Sequence, residues 1–460
     1  MRIQFWGTRG SLAKPGPTTL RYGGNTSCVE VRTADGTLII LDCGTGAHGL
    51  GEALVAAGET PLRGHLLITH THWDHIQGFP FFTPLFIPGH EWDIYAPAGP
   101  GRRLEDILAG QMEYAYFPIT LQQLNATVRY HDLVEGAFDL GSVHVSARYL
   151  NHPALTLGYR LEAGGVAVVY ATDHEPHAGA QLTPAQRESA AARDLGVHHE
   201  DRRHIEFLAG ADLVIHDAQY TAAEYAKKVG WGHSSIEYAV DAALAARVKR
   251  LALFHHDPWR DDVALAQLVE AGRQRVATGG GSLEVLGAAE GQVLELAEQE
   301  GTSKPTGGLV EAAAREDPGG AGAAAKTVLI VDDERDIVGL LTMALRAEGF
   351  RLLTAHDGDT ALQLARAQHP SLILLDWLLP GRDGLEVCRA LRAEADPQLR
   401  HVPVVLLTGQ TGAEDIAAGF AAGVTDYLMK PFKPTYVRSR VREWLLRARS
   451  DTPAAEERSR

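Results

Sequence analysis

Three cysteines in 460 residues, Cys28, Cys43 and Cys388, leave an odd count with no C-x-x-C pair. Neither a disulfide framework nor a thiolate zinc site is indicated, and reduced thiols fit a cytoplasmic location. No apolar run is long enough to span a bilayer, so no membrane association is expected. The first residues, MRIQFWGTRGS, read as a strand running into a glycine turn and lack the basic-then-apolar pattern of a secretory signal. Basic surplus is missing too: the formal net charge is −15 at pH 7. Extensive nucleic-acid binding, which needs a concentrated basic surface, is therefore not expected. No repeat occurs at solenoid periods.

What the chain does contain is two different patterns. Over residues 1–296, short apolar runs bounded by Gly, Pro and Asp recur as SCVEVRT, TLIILDCG, HLLITH, VHVSARYL, VAVVYATD, ADLVIHDA and LALFHHD. Helical periodicity appears between some of them, in IEYAVDAALAARV and VALAQLVEAGRQRV, which predicts a mixed α/β layered domain. Residues 297–325 are rich in Gly, Ala, Pro and charge and read as a linker. From 326 to 447 five near-continuous apolar strands alternate with five helices, which predicts a doubly wound, mostly parallel sheet. Residues 448–460 carry no apolar face and are expected to be a disordered tail.

The run LLIT is followed at once by HTHWDH, which packs His70, His72, Asp74 and His75 into six residues. A sharp turn at a strand end lets these side chains converge, and burying them together calls for positive charge between them. Four ligands cannot complete two metal sites. Downstream, His152 follows SARYL, Asp173 ends VAVVYATD, and His255 follows LALF with His256 as an adjacent rival. Each apolar strand delivers a ligand at its end, so all lie along one rim of a layered sheet. His174 reads as a neighbouring surface or lining residue.

These residues resemble the metallo-β-lactamase fold superfamily, whose signature is H-x-H-x-D-H followed by a lone His, a lone Asp and a last His. The resemblance covers roughly residues 1–290 and implies an αββα sandwich. It implies that His70, His72 and His152 hold one divalent ion, that Asp74, His75 and His255 hold another, and that Asp173 bridges both. Zinc is the first expectation, with manganese or iron as alternatives. GGNTSC, LDCGTG, IHDA around Asp217 and GHSS around His233 resemble the ribonuclease Z-like phosphodiesterase branch. Two cations acidify a water and neutralise charge on a phosphoryl oxygen, which suits phosphodiesters. By the same likeness His233 would be the general acid, and His233 and Asp74 the catalytic residues. His233 can also be read as the neighbour of a helix cap at Ser234 or Ser235. Asp42 and Asp217 would steady ligand imidazoles, or simply form turns.

The tRNA-processing members of that branch carry a protruding basic arm, and nothing between Gly78 and Leu150 resembles one. A small or single-stranded substrate is the expectation that follows. Tyr114, Tyr116 and Phe117 could stack on a base or pack as lid or core.

In the second half, carboxylates again sit at strand ends: Asp332 and Asp333 after VLIV, Asp376 after LILL. Three acids crowded there would repel one another unless Mg²⁺ lay among them. Thr408 follows VVLL and Lys430 precedes Pro431, where a hydroxyl and an ammonium could hold phosphoryl oxygens. The set resembles the response-regulator receiver family over nearly all of 326–447. The resemblance implies phosphorylation of Asp376, magnesium binding by Asp332, Asp333 and Asp376, phosphate sensing by Thr408, Tyr427 and Lys430, and a sensor histidine kinase or phosphotransfer protein as partner.

Together these features predict a phosphodiesterase tuned by aspartyl phosphorylation, through relief of occlusion or formation of a homodimer. The alternatives are a 3′-end RNA-processing nuclease, a thioester or lactam hydrolase, and a non-enzymatic signalling adaptor. A di-iron oxidoreductase of this fold would carry Glu where His72 stands, and it would need a flavin partner.

Overall fold

The computed structural model describes residues 1–58, 60–97, 103–177, 199–297, 326–346, 348–409, 418–430, 432 and 434–450. They fall into two compact units, residues up to 297 and residues from 326. Apart from Ala297, the expected linker lies outside the described residues, as do residues 451–460 of the expected tail. No helix among the described residues is long and apolar enough to cross a membrane.

The first unit is built on two seven-stranded sheets, with strands numbered in chain order. One runs β14 (Val293–Glu295), β1 (Arg2–Gly7), β2 (Cys28–Arg32), β3 (Leu38–Leu41), β4 (Arg63–Leu67), β5 (Glu91–Pro97), β6 (Thr127–Leu133). The other runs β13 (Glu284–Gly287), β12 (Arg250–Phe254), β11 (Leu213–Asp217), β10 (Val166–Ala171), β9 (Thr156–Ala163), β8 (Val143–Leu150), β7 (Gly136–Leu140). Alternation explains the layering. In β5, Trp92, Ile94 and Ala96 point outward and pack with Leu50 and Leu54 of the helix Gly46–Ala56 and Leu108 of the helix Leu104–Gln111. Val169, Val214 and Leu251 do the same on the other sheet, under the helices His199–Leu208, Ile236–Ala245 and Asp262–Thr278. The inner faces meet through Phe5 against Phe254 and through the Tyr159 hydroxyl, which donates to the Ile68 carbonyl at 2.7 Å. This is an αββα sandwich.

β3 to β6 and β10 to β13 are parallel runs, so their carboxyl ends share one edge. That edge carries the ligand-type residues: Asp42 follows β3, Asp173 follows β10, Asp217 ends β11 and His255 follows β12. Four of the six non-glycine residues with positive φ among the described residues lie here: Ser11 (φ 62), Asp42 (φ 60), Asp173 (φ 59) and His255 (φ 56). Left-handed backbone is costly for residues with a Cβ, and it re-aims each side chain just where its strand stops.

The second unit has one all-parallel sheet, ordered β16 (Arg351–Ala355), β15 (Thr327–Val331), β17 (Leu372–Asp376), β18 (Val404–Thr408), β19 (Asp426–Met429). The helices Arg335–Arg346 and Pro434–Ser450 cover one face, and Gly358–Gln368 and Gly384–Arg392 the other. This is the doubly wound order, with the first strand inside and the chain reversing beside it. The last helix continues to Ser450, three residues beyond the expected end of the domain. The helix expected over AEDIAAGFAAG lies partly outside the described residues.

Candidate dinuclear metal centre

Asp173 is the hub of the first site. Its Oδ1 faces the Nε2 atoms of His70 (4.0 Å) and His152 (3.9 Å), and its Oδ2 faces those of His75 (3.1 Å) and His255 (3.3 Å). On the first side, His152 Nε2 lies 3.2 Å from His72 Nδ1. On the second, Asp74 Oδ2 lies 3.3 Å from His75 Nε2 and 3.1 Å from His255 Nε2. His70, His72 and His152 form one group able to hold an ion, and Asp74, His75 and His255 another.

Partners behind these groups fix which ring nitrogen faces inward. His75 Nδ1 donates to Asp42 Oδ2 at 2.8 Å, and Asp42 also accepts from the Thr69 amide (2.7 Å) and the Tyr170 hydroxyl (2.9 Å). His152 Nδ1 donates to the Gly232 carbonyl at 2.9 Å. Gly232 has φ +87, and a Cβ there would lie 2.2 Å from His152 Nδ1, so only glycine fits. Asp74 is held by the Ser11 amide at 2.7 Å.

The site fits divalent ions. His70 Nε2 is buried and lacks a hydrogen-bond partner among the described residues, a costly arrangement unless something accepts its lone pair. Burial pushes the His70 imidazole well down and that of His152 to about 3, and neutral imidazole is the form that binds metal. Burial opposes charge on Asp74 and Asp173 as well, yet the surrounding imidazoles hold both carboxyls well below the usual range.

His233 stands beside this group with Nδ1 donating to Asp217 Oδ2 at 2.7 Å, and its ring stacks 4.9 Å from that of His255. Asp217 thus orients His233 and not one of the seven ligand-type residues. Burial disfavours charge on His233, but Asp217 first, then Asp173 and Asp74, raise its pKa to about 9. Ser11, Thr71, His72, Trp73, Asp74, Asp173 and His233 line a cavity of about 540 Å³, within the range of small-ligand sites.

His174 sits differently from its sequence reading, while His256 and the aromatic residues fall within theirs. His256 turns away, its Nε2 donating to the Ala288 carbonyl at 2.8 Å. His174 is neither surface nor lining. It is 1% exposed, stacks on His204 at 3.7 Å and approaches the Tyr238 hydroxyl at 3.2 Å. Phe117 packs edge-on against Phe81, while Tyr114 and Tyr116 are exposed. Glu175 escaped the sequence reading altogether. Buried, it accepts from the Tyr225 hydroxyl (2.8 Å) and from the amides of Gly230 (2.6 Å) and Gly232 (2.8 Å). Its only signal was a carboxylate two residues past Asp173.

In the second unit, Asp332, Asp333 and Asp376 form an acidic group able to hold a cation. Lys430 Nζ lies 2.7 Å from Asp332 Oδ2 and 2.6 Å from Asp376 Oδ1. Burial raises the Asp376 pKa, with Lys430 pulling it down and Asp332 pushing it up. Thr408 ends β18 beside Asp376, and Tyr427 is buried, its ring 5.2 Å from Phe420.

Residues 37–256 match the family model of the beta-lactamase superfamily domain, and residues 328–442 that of the response regulator receiver domain. The chain therefore joins a metallo-β-lactamase-fold domain to a response-regulator receiver domain. The DNA-binding response regulator MtrA of Mycobacterium tuberculosis is 44% identical over 127 residues, 28% of this chain and 53% of MtrA. The chain spans about half the length of the relatives it matches in this way. The crystal structure of the metallo-β-lactamase fold protein YhfI from Bacillus subtilis is 16% identical, covering 64% of this chain and 98% of that one, with a TM-score of 0.43. The short form of human tRNase Z is 21% identical, covering 64% and 99%, with a TM-score of 0.42.

Proposed function

We infer that the first domain is a dinuclear-metal phosphodiesterase acting on a small cyclic or single-stranded phosphodiester, tuned by phosphorylation of Asp376. One observation carries the hydrolase reading: the two carboxylate oxygens of Asp173 each face a separate set of imidazoles, with an Asp-paired histidine alongside. His70, His72 and His152 would hold one divalent ion, Asp74, His75 and His255 the other, and Asp173 both. Bound there, the ions would activate a water and neutralise charge on a phosphoryl oxygen.

The protein's own groups do the rest. Asp42 and the Gly232 carbonyl, by engaging Nδ1, turn Nε2 of His75 and of His152 toward the site. Asp217 holds the proton of His233 Nδ1, leaving Nε2–H of the protonated ring to supply the departing alkoxide. Once cations claim Asp173 and Asp74, Asp217 remains the group that favours this charge. In the receiver domain Lys430 and Thr408 stand ready to take phosphoryl oxygens on Asp376, supplied by a sensor histidine kinase or phosphotransfer protein.

A substrate panel tests the reading: bis-p-nitrophenyl phosphate, cyclic nucleotides, cyclic dinucleotides, short RNA and thioesters, on metal-loaded wild type beside His75→Ala and His233→Ala. Phosphodiester turnover that collapses in His75→Ala supports it. Faster thioester hydrolysis, or phosphodiester rates indifferent to His75→Ala, would overturn it. Regulation is tested by beryllofluoride, which mimics phosphoryl-aspartate: no change in turnover or in oligomeric state refutes it.

A further inference from the structure

One buried carboxylate stands behind a ligand of each proposed ion, and a hydroxyl makes the second connection. Asp42, which follows β3, is fully buried, and its Oδ2 takes the proton of His75 Nδ1 at 2.8 Å. His75 belongs with Asp74 and His255. His70 belongs with His72 and His152, and its outer nitrogen, Nδ1, meets Thr69 Oγ1 at 3.2 Å. Among the described residues that hydroxyl is its one hydrogen-bond partner. Thr69 lies two residues past β4, is itself fully buried, and places Oγ1 3.0 Å from each oxygen of Asp42. Its amide donates to Asp42 Oδ1 at 2.7 Å, so the backbone holds the hydroxyl in place.

The directions of these bonds follow from the geometry. His70 Nε2 faces Asp173, so ligation needs a lone pair on that nitrogen and the ring proton on Nδ1. The Nδ1 proton then points at Thr69 Oγ1. A carboxylate only accepts, so the threonine hydroxyl gives its own proton to Asp42. The chain therefore runs one way, from the His70 ring through Thr69 to Asp42. Deleting the hydroxyl would strand the Nδ1 proton without a partner in a dry interior. Moving that proton to Nε2 would relieve the ring but occupy the atom that ligates.

We propose that Thr69 is a positioning residue of the metal centre: its hydroxyl holds His70 in the ligating tautomer and links it to Asp42, so that one carboxylate steadies a ligand of each ion. The proposal rests on the dinuclear reading of the site and is independent of the substrate.

The test reads zinc binding to the full chain in competition with a chromophoric chelator, where wild type should take up two ions. Thr69→Val keeps the outline of the side chain and deletes the hydroxyl. One ion should then bind about 10- to 100-fold more weakly, the usual scale of losing a group that orients a ligand, with the other little changed. Thr69→Ser keeps the hydroxyl and should bind both ions as wild type does. Asp42→Asn removes the charge shared by the two rings and should weaken both. Two backgrounds assign the affected ion. In His152→Ala, which lacks a ligand of the His70 ion, adding Thr69→Val should leave the remaining ion unchanged, whereas in His255→Ala the loss should persist.

Unchanged affinity in Thr69→Val, equal weakening of both ions, the same loss in both backgrounds, or a loss of the same size in Thr69→Ser would each overturn the proposal. Should Thr69→Val not fold, Thr69→Ala adds no methyl beside the carboxylate and gives the same comparison. Because the readout is binding, a wild type that holds two zinc ions yet cleaves no phosphodiester would sink the phosphodiesterase reading and leave Thr69 in its role. A wild type that holds fewer than two would sink both.

Discussion

The Glu175 carboxylate accepts the Gly232 amide at 2.8 Å, and the carbonyl of that same glycine takes the proton of His152 Nδ1 at 2.9 Å. Glu175 is also tied by its backbone to the loop of His152, its amide donating to the Asn151 carbonyl at 2.8 Å and its carbonyl accepting from the Asn151 side chain at 2.8 Å. One buried acid thus fastens together the loops carrying His152, Asp173 and His233. Glu175→Gln turns an amide against at least one of three donors. Zinc affinity, read by competition with a chelator, is expected to fall about 10- to 100-fold, the usual effect of losing a group that orients a ligand. Tyr225→Phe removes one donor only and should have a smaller effect. A lower melting temperature with unchanged zinc affinity would show that Glu175 serves stability alone.

His233 is expected to matter in proportion to how much the leaving group needs a proton. His233→Ala should slow esters with alkoxide leaving groups by about 10²- to 10⁴-fold, and p-nitrophenyl esters far less. Equal losses for both would remove it as the acid.

Asp217→Asn gives a pH signature with a definite sign. Burial lowers the His233 pKa while the Asp217 carboxylate raises it, so the protonated acid is lost as pH rises through the pKa that Asp217 holds up. Without the Asp217 charge, the alkaline limb of the rate profile should move to lower pH. A limb that stays in place assigns it to another group.

The stacked histidines behind the site make the first domain sensitive to acid. Burial, together with repulsion from His216 and between the two rings, holds the pKa values of His174 and His204 well below normal. Below about pH 6.5 the unfolded chain binds protons there that the folded chain refuses. Stability contributed by these rings is therefore present above that pH and lost as pH falls through it. Thermal melts from pH 8 to 5 should show a steep decline, flattened in His204→Gln. An unchanged slope in that variant would exclude His204 as a source.

In the receiver domain, Lys430 neutralises part of the charge shared by Asp332 and Asp376. Lys430→Ala should bind Mg²⁺ several-fold more tightly, because the carboxylates then repel one another without relief. Fluorescence of Trp377, adjacent to Asp376, is a convenient probe. Weaker Mg²⁺ binding would contradict this account.

Both folds were legible in the sequence because apolar strands ending in charged residues leave a linear trace: LLIT before His70, LALF before His255, LILL before Asp376. The partners were harder to read. Asp217 ends β11 and His233 lies sixteen residues further along the chain, and the excursion between them, closed by the Tyr220–Ser235 bridge, brings the two together. His174 looked like a lining residue because it follows Asp173, yet the left-handed backbone at Asp173 turns the chain so that the next ring goes inward. Glu175 was invisible since two of the three donors to its carboxylate are amides, which carry no residue type.

The left-handed positions around the site have a consequence for engineering this protein. At Asp42, Asp173 and His255 glycine would relax the backbone but delete the chemistry, so local strain and function cannot be separated. Ser11 differs, because the contact it makes with Asp74 comes from its amide, which every non-proline residue keeps. Position 11 is where the catalytic edge could be made more robust at little expense to what it does.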